Sequence, residues 1–244
     1  MSYNIALFDM DGTLLDTTQD LAASLTYAVH QLDQEASFTP TDAALFFGSG
    51  STIALTRALA ALKGASIHTL LALGDTLHAQ DIGINPQEVQ ELDKVFSAHY
   101  QQHSNDHTRP YPGVISMLTS LQTAEVRCAV ISNKMDSEVK RLTQLHFKDL
   151  ILSAAGVRTG VARKPAPDVT LTALHELQIQ MGTRKAHAVY VGDSEIDLLT
   201  AKNAGLDCIA VDWGFRTRSY LKQCGATRIV SSTSELVSAI LDNK

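Results

Sequence analysis

More than a hundred residues separate the first strand-like run of this chain, Ile5–Asp9, from the second, Val126–Ser132. No ordinary connection is that long, so the interval must fold as a unit of its own, inserted into whatever the flanking segments build. From about residue 112 onward those segments alternate strand-like and helix-like, the pattern of a parallel α/β sheet. Short apolar runs at Leu150–Ala154, Ala188–Asp193, Cys208–Asp212 and Arg228–Val230 supply further strands. Ser137–His146, Asp168–Ile179 and Glu195–Ala204 read as crossover helices, the last ending at Gly205, a residue suited to a helix terminus. Cys128-Ala129-Val130-Ile131 lacks polar alternation, as a strand buried on both faces should. The inserted interval instead carries helical periodicity at Leu21–Leu32, Ser51–Leu62, His68–Leu77 and Gln87–Tyr100. The expected architecture is α/β: a Rossmann-like parallel-sheet core of residues 1–16 and 100–244 with an inserted α-helical cap domain over residues 17–99. Arg109-Pro110-Tyr111-Pro112-Gly113 marks the return of the chain to the core, because each proline disfavours helix in the residue before it.

Composition narrows the function. With 45% apolar and 19% charged residues the chain can fill a core, which excludes general disorder. Twenty basic residues against 26 acidic ones give a net charge of −6, and no basic patch offsets it, so nucleic acid is not an expected partner. Between residues 18 and 99 only Arg57, Lys63 and Lys94 stand against nine acids, so the cap carries the whole excess. Cys128, Cys208 and Cys224 are odd in number and widely spaced, which suits reduced thiols in a cytoplasmic protein. No apolar stretch reaches the ~20 residues of a membrane helix and no basic leader precedes Ile5. The expectation is a soluble, unprocessed monomer or weak homodimer with no membrane partner.

Chemistry is signalled where strands run into acid. The first strand leads directly into Asp9-Met10-Asp11-Gly12-Thr13, and the fourth into Gly192-Asp193-Ser194-Glu195-Ile196-Asp197. In an open parallel sheet, ligands gather outside the carboxyl ends of the strands, so both acid clusters face one crevice. Carboxylates crowded there repel one another unless a cation intervenes, and an all-oxygen set suits Mg²⁺ rather than zinc. The second strand ends in Ser132-Asn133-Lys134, and Arg163-Lys164-Pro165 precedes a helix start. Either segment alone reads as a cap or a turn. Together with the acids they describe an anionic group held between Mg²⁺ and Lys164 while a carboxylate attacks.

In the order Asp9-Met10-Asp11-Gly12-Thr13, Ser132-Asn133, Lys164-Pro165 and Gly192-Asp193 through Asp197, these segments resemble the motifs of the haloacid dehalogenase superfamily. Within it the chain is similar to phosphoglycolate phosphatase-like phosphatases with a helical cap inserted after the first strand. The likeness extends over the whole chain, including Trp213-Gly214-Phe215 and the cap loop Gly48-Ser49-Gly50. It implies that Asp9 is the nucleophile, forming an aspartyl-phosphate that water hydrolyses, and that Asp11 is general acid and base. It further implies that Asp9, Asp193 and the backbone carbonyl of Asp11 bind Mg²⁺, with Asp197 acting through water or orienting a neighbour. Ser132, Asn133 and Lys164 are expected to hold the phosphoryl oxygens, and Gly48, Ser49 and Gly50 to face substrate. Lys134 and Arg163 read as solvated or supporting residues rather than catalytic ones, and the histidines show no metal-ligand spacing.

The expected substrate is a small phosphomonoester, phosphoglycolate-like, because an acidic cap is poorly equipped to neutralise a second highly charged group. Phosphoglycolate itself would fit if Arg57 or a backbone amide faces inward. A dehalogenase would need no metal and ordinarily lacks the second acid, and a transporting ATPase would need membrane helices. The alternatives are a β-phosphoglucomutase-type phosphosugar mutase, which keeps the same motifs, and a non-catalytic phosphate-binding module.

Overall fold

In the computed structural model, which describes residues 2–182 and 186–242, the chain divides into two compact units. One comprises Met1–Asp16 and Arg109–Lys244, the other Thr17–Thr108. In chain order the elements are β1 (Ile5–Phe8), β2 (Leu15–Asp16), α1 (Thr18–Val29), α2 (Pro40–Phe46), α3 (Ser51–Leu62), α4 (Ile67–Ala72) and α5 (Pro86–His103). There follow β3 (Arg109–Pro110), α6 (Val114–Thr123), β4 (Arg127–Met135), α7 (Asp136–His146), β5 (Ser153–Val157), α8 (Asp168–Gln180) and β6 (Ala188–Gly192). The last are α9 (Glu195–Ala204), β7 (Asp207–Val211), α10 (Arg218–Gln223), β8 (Ile229–Val230) and α11 (Thr233–Leu241).

The first unit is built on a six-stranded parallel sheet in the order β5-β4-β1-β6-β7-β8. Its strands are apolar on both faces, as parallel strands covered by helices must be. Ala6, Phe8, Cys128, Val130, Val189 and Val191 pack against α6, α7 and α11 on one side. Ile5, Leu7, Ala129, Ile131 and Tyr190 pack against α8 and α9 on the other. β1 lies between β4 and β6, so the carboxyl ends of these three strands adjoin. Gly205 ends α9 in the left-handed conformation its position suggested, with φ of +68°.

Two of the expected segments lie elsewhere. The third strand lies at Ser153–Val157 instead of Leu150–Ala154, because Lys148–Leu150 forms a 3-10 turn and the small residues Ala154–Gly156 make the ladder. The helix read at His68–Leu77 stops at Ala72. Gly74 follows with φ of +91°, a backbone geometry that does not continue a helix.

The second unit is helical. Helix α2 was not expected, although its start carries a capping box: the Thr39 side chain accepts from the Asp42 N–H and the Asp42 carboxylate accepts from the Thr39 N–H. Helix α5 runs on to His103, and the buried Asp20 carboxylate accepts from the backbone N–H groups of His107 and Thr108 and from the Thr108 hydroxyl. The second crossing between units therefore falls at Thr108–Arg109, beyond residue 100. Arg57 is buried and donates to the carbonyls of Phe46 and Leu73, both at 2.9 Å. Among the described residues no single helix is long and apolar enough to cross a membrane.

Candidate active site

Asp9 enters the site by prolonging β1. Its N–H donates to the Val191 carbonyl at 2.8 Å, so the ladder persists one residue past the strand and alternation turns the carboxylate to the face of Ile5 and Leu7. Tyr190 emerges on that same face from β6. The chain then bends at Gly12, where φ is +86° and a Cβ would collide with the Asp193 carboxylate; only glycine meets both demands. Gly214, after β7, is held to glycine by the same carboxylate and by the Gly12 carbonyl.

Lys164 occupies the centre. Its ammonium donates to Asp9 Oδ1 at 2.6 Å, to Asp197 Oδ1 at 2.8 Å and to the Tyr190 hydroxyl at 3.1 Å, with the side chain 4% exposed. A buried lysine survives as a cation only when paired this way. Burial opposes its charge, but Asp197 and then Asp9 outweigh burial and hold its pKa well above the ordinary value. The Tyr190 hydroxyl is buried beside it, and burial pushes its pKa up.

Asp197 has little freedom to do anything else. Besides Lys164 on Oδ1, its Oδ2 accepts from the Asp193 N–H, the Ser194 N–H and the Ser194 hydroxyl at 3.2, 3.1 and 2.7 Å. Those bonds close a capping box at the start of α9, so the carboxylate serves the helix start and Lys164 at once. Asp193 is held more lightly: Thr13 Oγ1 donates to Oδ1 at 2.8 Å and the Phe215 N–H to Oδ2 at 2.7 Å. Burial first, and then Asp197, push its pKa up to about 7 against those two hydrogen bonds. Burial also raises Asp9 well above the carboxylate range; Lys164 opposes this, while Asp197, Asp193 and Asp11 add to it.

Oxygens of Asp9, Asp193 and Asp197 lie within 4.8 Å of one another, and Lys164 bridges two of the three carboxylates. The cluster thus keeps an excess of buried negative charge with oxygen donors alone, a setting that fits a hard divalent cation. Because Asp197 is engaged by five donors, the Tyr190 hydroxyl at 3.5 Å among them, Asp9 and Asp193 are the better placed to hold it.

The end of β4 contributes the remaining residues expected from the sequence. Ser132 is buried and its hydroxyl accepts from the Lys134 N–H at 3.1 Å. The Asn133 amide donates to the Lys164 carbonyl at 3.2 Å and so ties β4 to the loop before α8. Asp11 pairs with Lys134, Nζ to Oδ1, at 3.0 Å. Gly48, Ser49 and Gly50 belong to the other unit, in the turn between α2 and α3.

Sequence reasoning missed two participants and left a third, Lys134, between two readings. Lys134 was read as solvated or supporting, yet its side chain is 7% exposed. Tyr190 looked like one more apolar strand residue, and nothing in Val-Tyr-Val announces that its hydroxyl meets Lys164 from 26 positions earlier in the chain. Arg216 forms a bidentate pair with Glu195, at 2.8 and 3.0 Å, joining the loop after β7 to the first turn of α9. An Arg just past a Trp-Gly-Phe turn and a Glu inside the acidic motif were the available signals.

Known proteins share this arrangement of sequence and fold. A family model described as haloacid dehalogenase-like hydrolase matches residues 6–211. The phosphoglycolate phosphatase of Mesorhizobium japonicum is 33% identical over 224 residues, spanning 89% of this chain and 86% of its own. That of Colwellia psychrerythraea is 30% identical over 234 residues, spanning 96% and 95%. A provisionally named phosphoglycolate phosphatase from Lactobacillus delbrueckii subsp. bulgaricus, solved by crystallography, is 41% identical with a TM-score of 0.89 over 99% of each chain.

Proposed function

We propose, from the premise that this chain belongs to the haloacid dehalogenase-like hydrolase family, that it is an Mg²⁺-dependent phosphatase of small phosphomonoesters acting through an aspartyl-phosphate. The observation that carries the reading is the Lys164 ammonium bonded to Asp9 and Asp197 beside Asp193 at the ends of the central strands. Asp9 attacks phosphorus as the bond to the leaving oxygen breaks, and Asp11 gives that oxygen a proton. Water then attacks the phosphoryl group with Asp11 taking its proton, which restores Asp9. Lys164 orients Asp9 and balances charge on the transferring group, and Ser132 and Asn133 line the strand end where the phosphoryl oxygens are held. Asp9, Asp193 and the Asp11 backbone carbonyl would hold Mg²⁺, which would supply charge neutralisation and Lewis acidity at the phosphoryl group.

For the substrate, the phosphoglycolate phosphatases at 30% identity or above favour a small ester with at most one further carboxylate. Arg57, the basic residue of the second unit that the sequence offers for that carboxylate, directs both terminal nitrogens to backbone carbonyls, and Lys63 donates to the Gly83 carbonyl at 3.0 Å. Steady-state kinetics on phosphoglycolate, neutral sugar monophosphates and sugar bisphosphates, with and without a chelator, test the reading. The expected result is Mg²⁺-dependent hydrolysis with the highest kcat/KM on the small monophosphates. Full turnover under chelation would remove the metal, and a preference for bisphosphates would favour the mutase.

A further inference from the structure

We propose that Lys134 is a positioning residue for Asp11, setting the carboxyl group for proton transfer to the leaving oxygen. This rests on the reading of Asp11 as proton donor given above and goes beyond it by assigning a role to a residue outside the quoted motifs.

The argument begins in the backbone. Regular pairing of β4 with β5 runs through Ala129↔Ser153, Val130↔Ala154 and Ile131↔Ala155, and resumes at Met135↔Val157. Four steps along β4 therefore match two along β5, so the segment from Ser132 to Lys134 bulges out of the ladder. The bulge is fixed from several sides. Ser132 Oγ accepts the Lys134 N–H at 3.1 Å, and the Gly156 N–H donates to Asp136 Oδ1 at 3.0 Å. Gly156 packs so closely that a Cβ there would run into the Lys134 carbonyl and come within 2.8 Å of the Asp136 backbone. A bulge re-aims a side chain beside a site, and here it sends a lysine to Asp11.

The side chain follows from that fixed base. Lys134 Nζ lies 3.0 Å from Asp11 Oδ1, with the two side chains 7% and 19% exposed. A surface ion pair between flexible chains fixes little. This one is largely removed from water and grows from an immobilised backbone, so it restricts where the Asp11 carboxyl can stand. In the reaction, the Asp11 proton passes to the leaving oxygen as the P–O bond breaks, and Lys134 keeps all its protons throughout.

Leaving groups separate this role from simple charge balance. A nitrophenolate departs without a proton, whereas an alkoxide needs one, so interference with the acid shows as selective loss on alkyl phosphates. The experiment compares kcat/KM, which reports the first phosphoryl transfer, for p-nitrophenyl phosphate and glycerol phosphate with the native protein, D11N, K134M and K134R in Mg²⁺. D11N should lose far more on the alkyl ester, within the range of about 10²- to 10⁴-fold that general acids contribute. K134M should lose in the same sense, its ratio of the two substrates shifting by about tenfold or more, and K134R should recover most of that shift. Equal losses of K134M on both substrates, an unchanged K134M, or a rise in KM alone would overturn the proposal. If D11N itself shows no preference, the reading of Asp11 falls; if D11N discriminates and K134M does not, only the role of Lys134 falls. Should K134M fail to fold, K134Q carries the same comparison.

Discussion

At the scale of residues, the site is a contest between burial and charge. Asp193 is 1% exposed and its pKa is raised from the ordinary 3.8 to about 7, by burial before all else. A raised folded-state pKa means that the native protein binds the proton more tightly than the unfolded chain does. Without metal, the contribution of this group to stability should be fully present below about pH 3.8 and be lost as pH rises towards 7, where the group ionises against its surroundings. A divalent cation bound to the ionised form reverses this at neutral pH. Thermal midpoints at about pH 5 and pH 8, in chelator and in Mg²⁺, check it: Mg²⁺ should raise the midpoint more at the higher pH, and D193N should lose most of that difference. Equal Mg²⁺ effects at both values would count against a metal at Asp193. The acids were legible in the sequence because each directly follows an apolar run, and Lys164 because it stands before a proline at a helix start. Lys134 was not: after a bulge, the alternation that tells inside from outside no longer applies. Asp197 was legible as an acid of the site, but its engagement with Ser194 and Lys164 depends on where two separate segments meet.

At the scale of elements, the sheet places chemistry at strand ends and protects its open edge. β5 is an edge strand, and Asp136, Lys140, Arg158 and Glu176 line a cleft of about 200 Å³ beside it. Charged side chains of this kind discourage pairing with another strand. On the other side of β5 its neighbour β4 bears the bulge that carries Ser132, Asn133 and Lys134, and the tightest contact there is Gly156 against the Lys134 carbonyl. Gly156→Ala should therefore cost about 1–3 kcal/mol, as overpacking does, and should lower kcat, because the displaced segment holds Ser132 and Lys134. Urea unfolding alongside kinetics measures both, and a G156A protein with native stability and activity would show that the bulge tolerates displacement. The crossover helices were readable to within a residue or so, since amphipathic periodicity and Gly205 mark them. β5 was misplaced by three residues because Leu150-Ile151-Leu152 is more apolar than the true strand Ser153–Val157, whose small residues were chosen for close approach rather than for hydrophobicity. Helix α2 was missed although Thr39-Pro40-Thr41-Asp42 carried its start signal, because seven residues are too few to display a period.

At the scale of the whole molecule, two chain segments far apart in sequence build one compact unit, and the segment between them builds a helical one. The long gap between the first two strands announced that division before any residue was assigned a role. It did not fix the second boundary, because Asp20 reaches from α1 to His107 and Thr108, a link of 88 positions that no local pattern encodes. The central claim is that Asp9 takes the phosphoryl group covalently, a claim that joins the acid cluster, Lys164 and the metal in one mechanism. The most direct test is to mix the protein with Mg²⁺ and a fast-reacting phosphomonoester, quench in acid within the first turnover, and map the phosphoryl group by mass spectrometry. A phosphorylated peptide modified at Asp9, absent from D9N and lost on prolonged incubation without quench, is the predicted result; a fully active enzyme in which no phosphoryl-aspartate accumulates at any quench time, together with a D9N protein that still turns over, would contradict it.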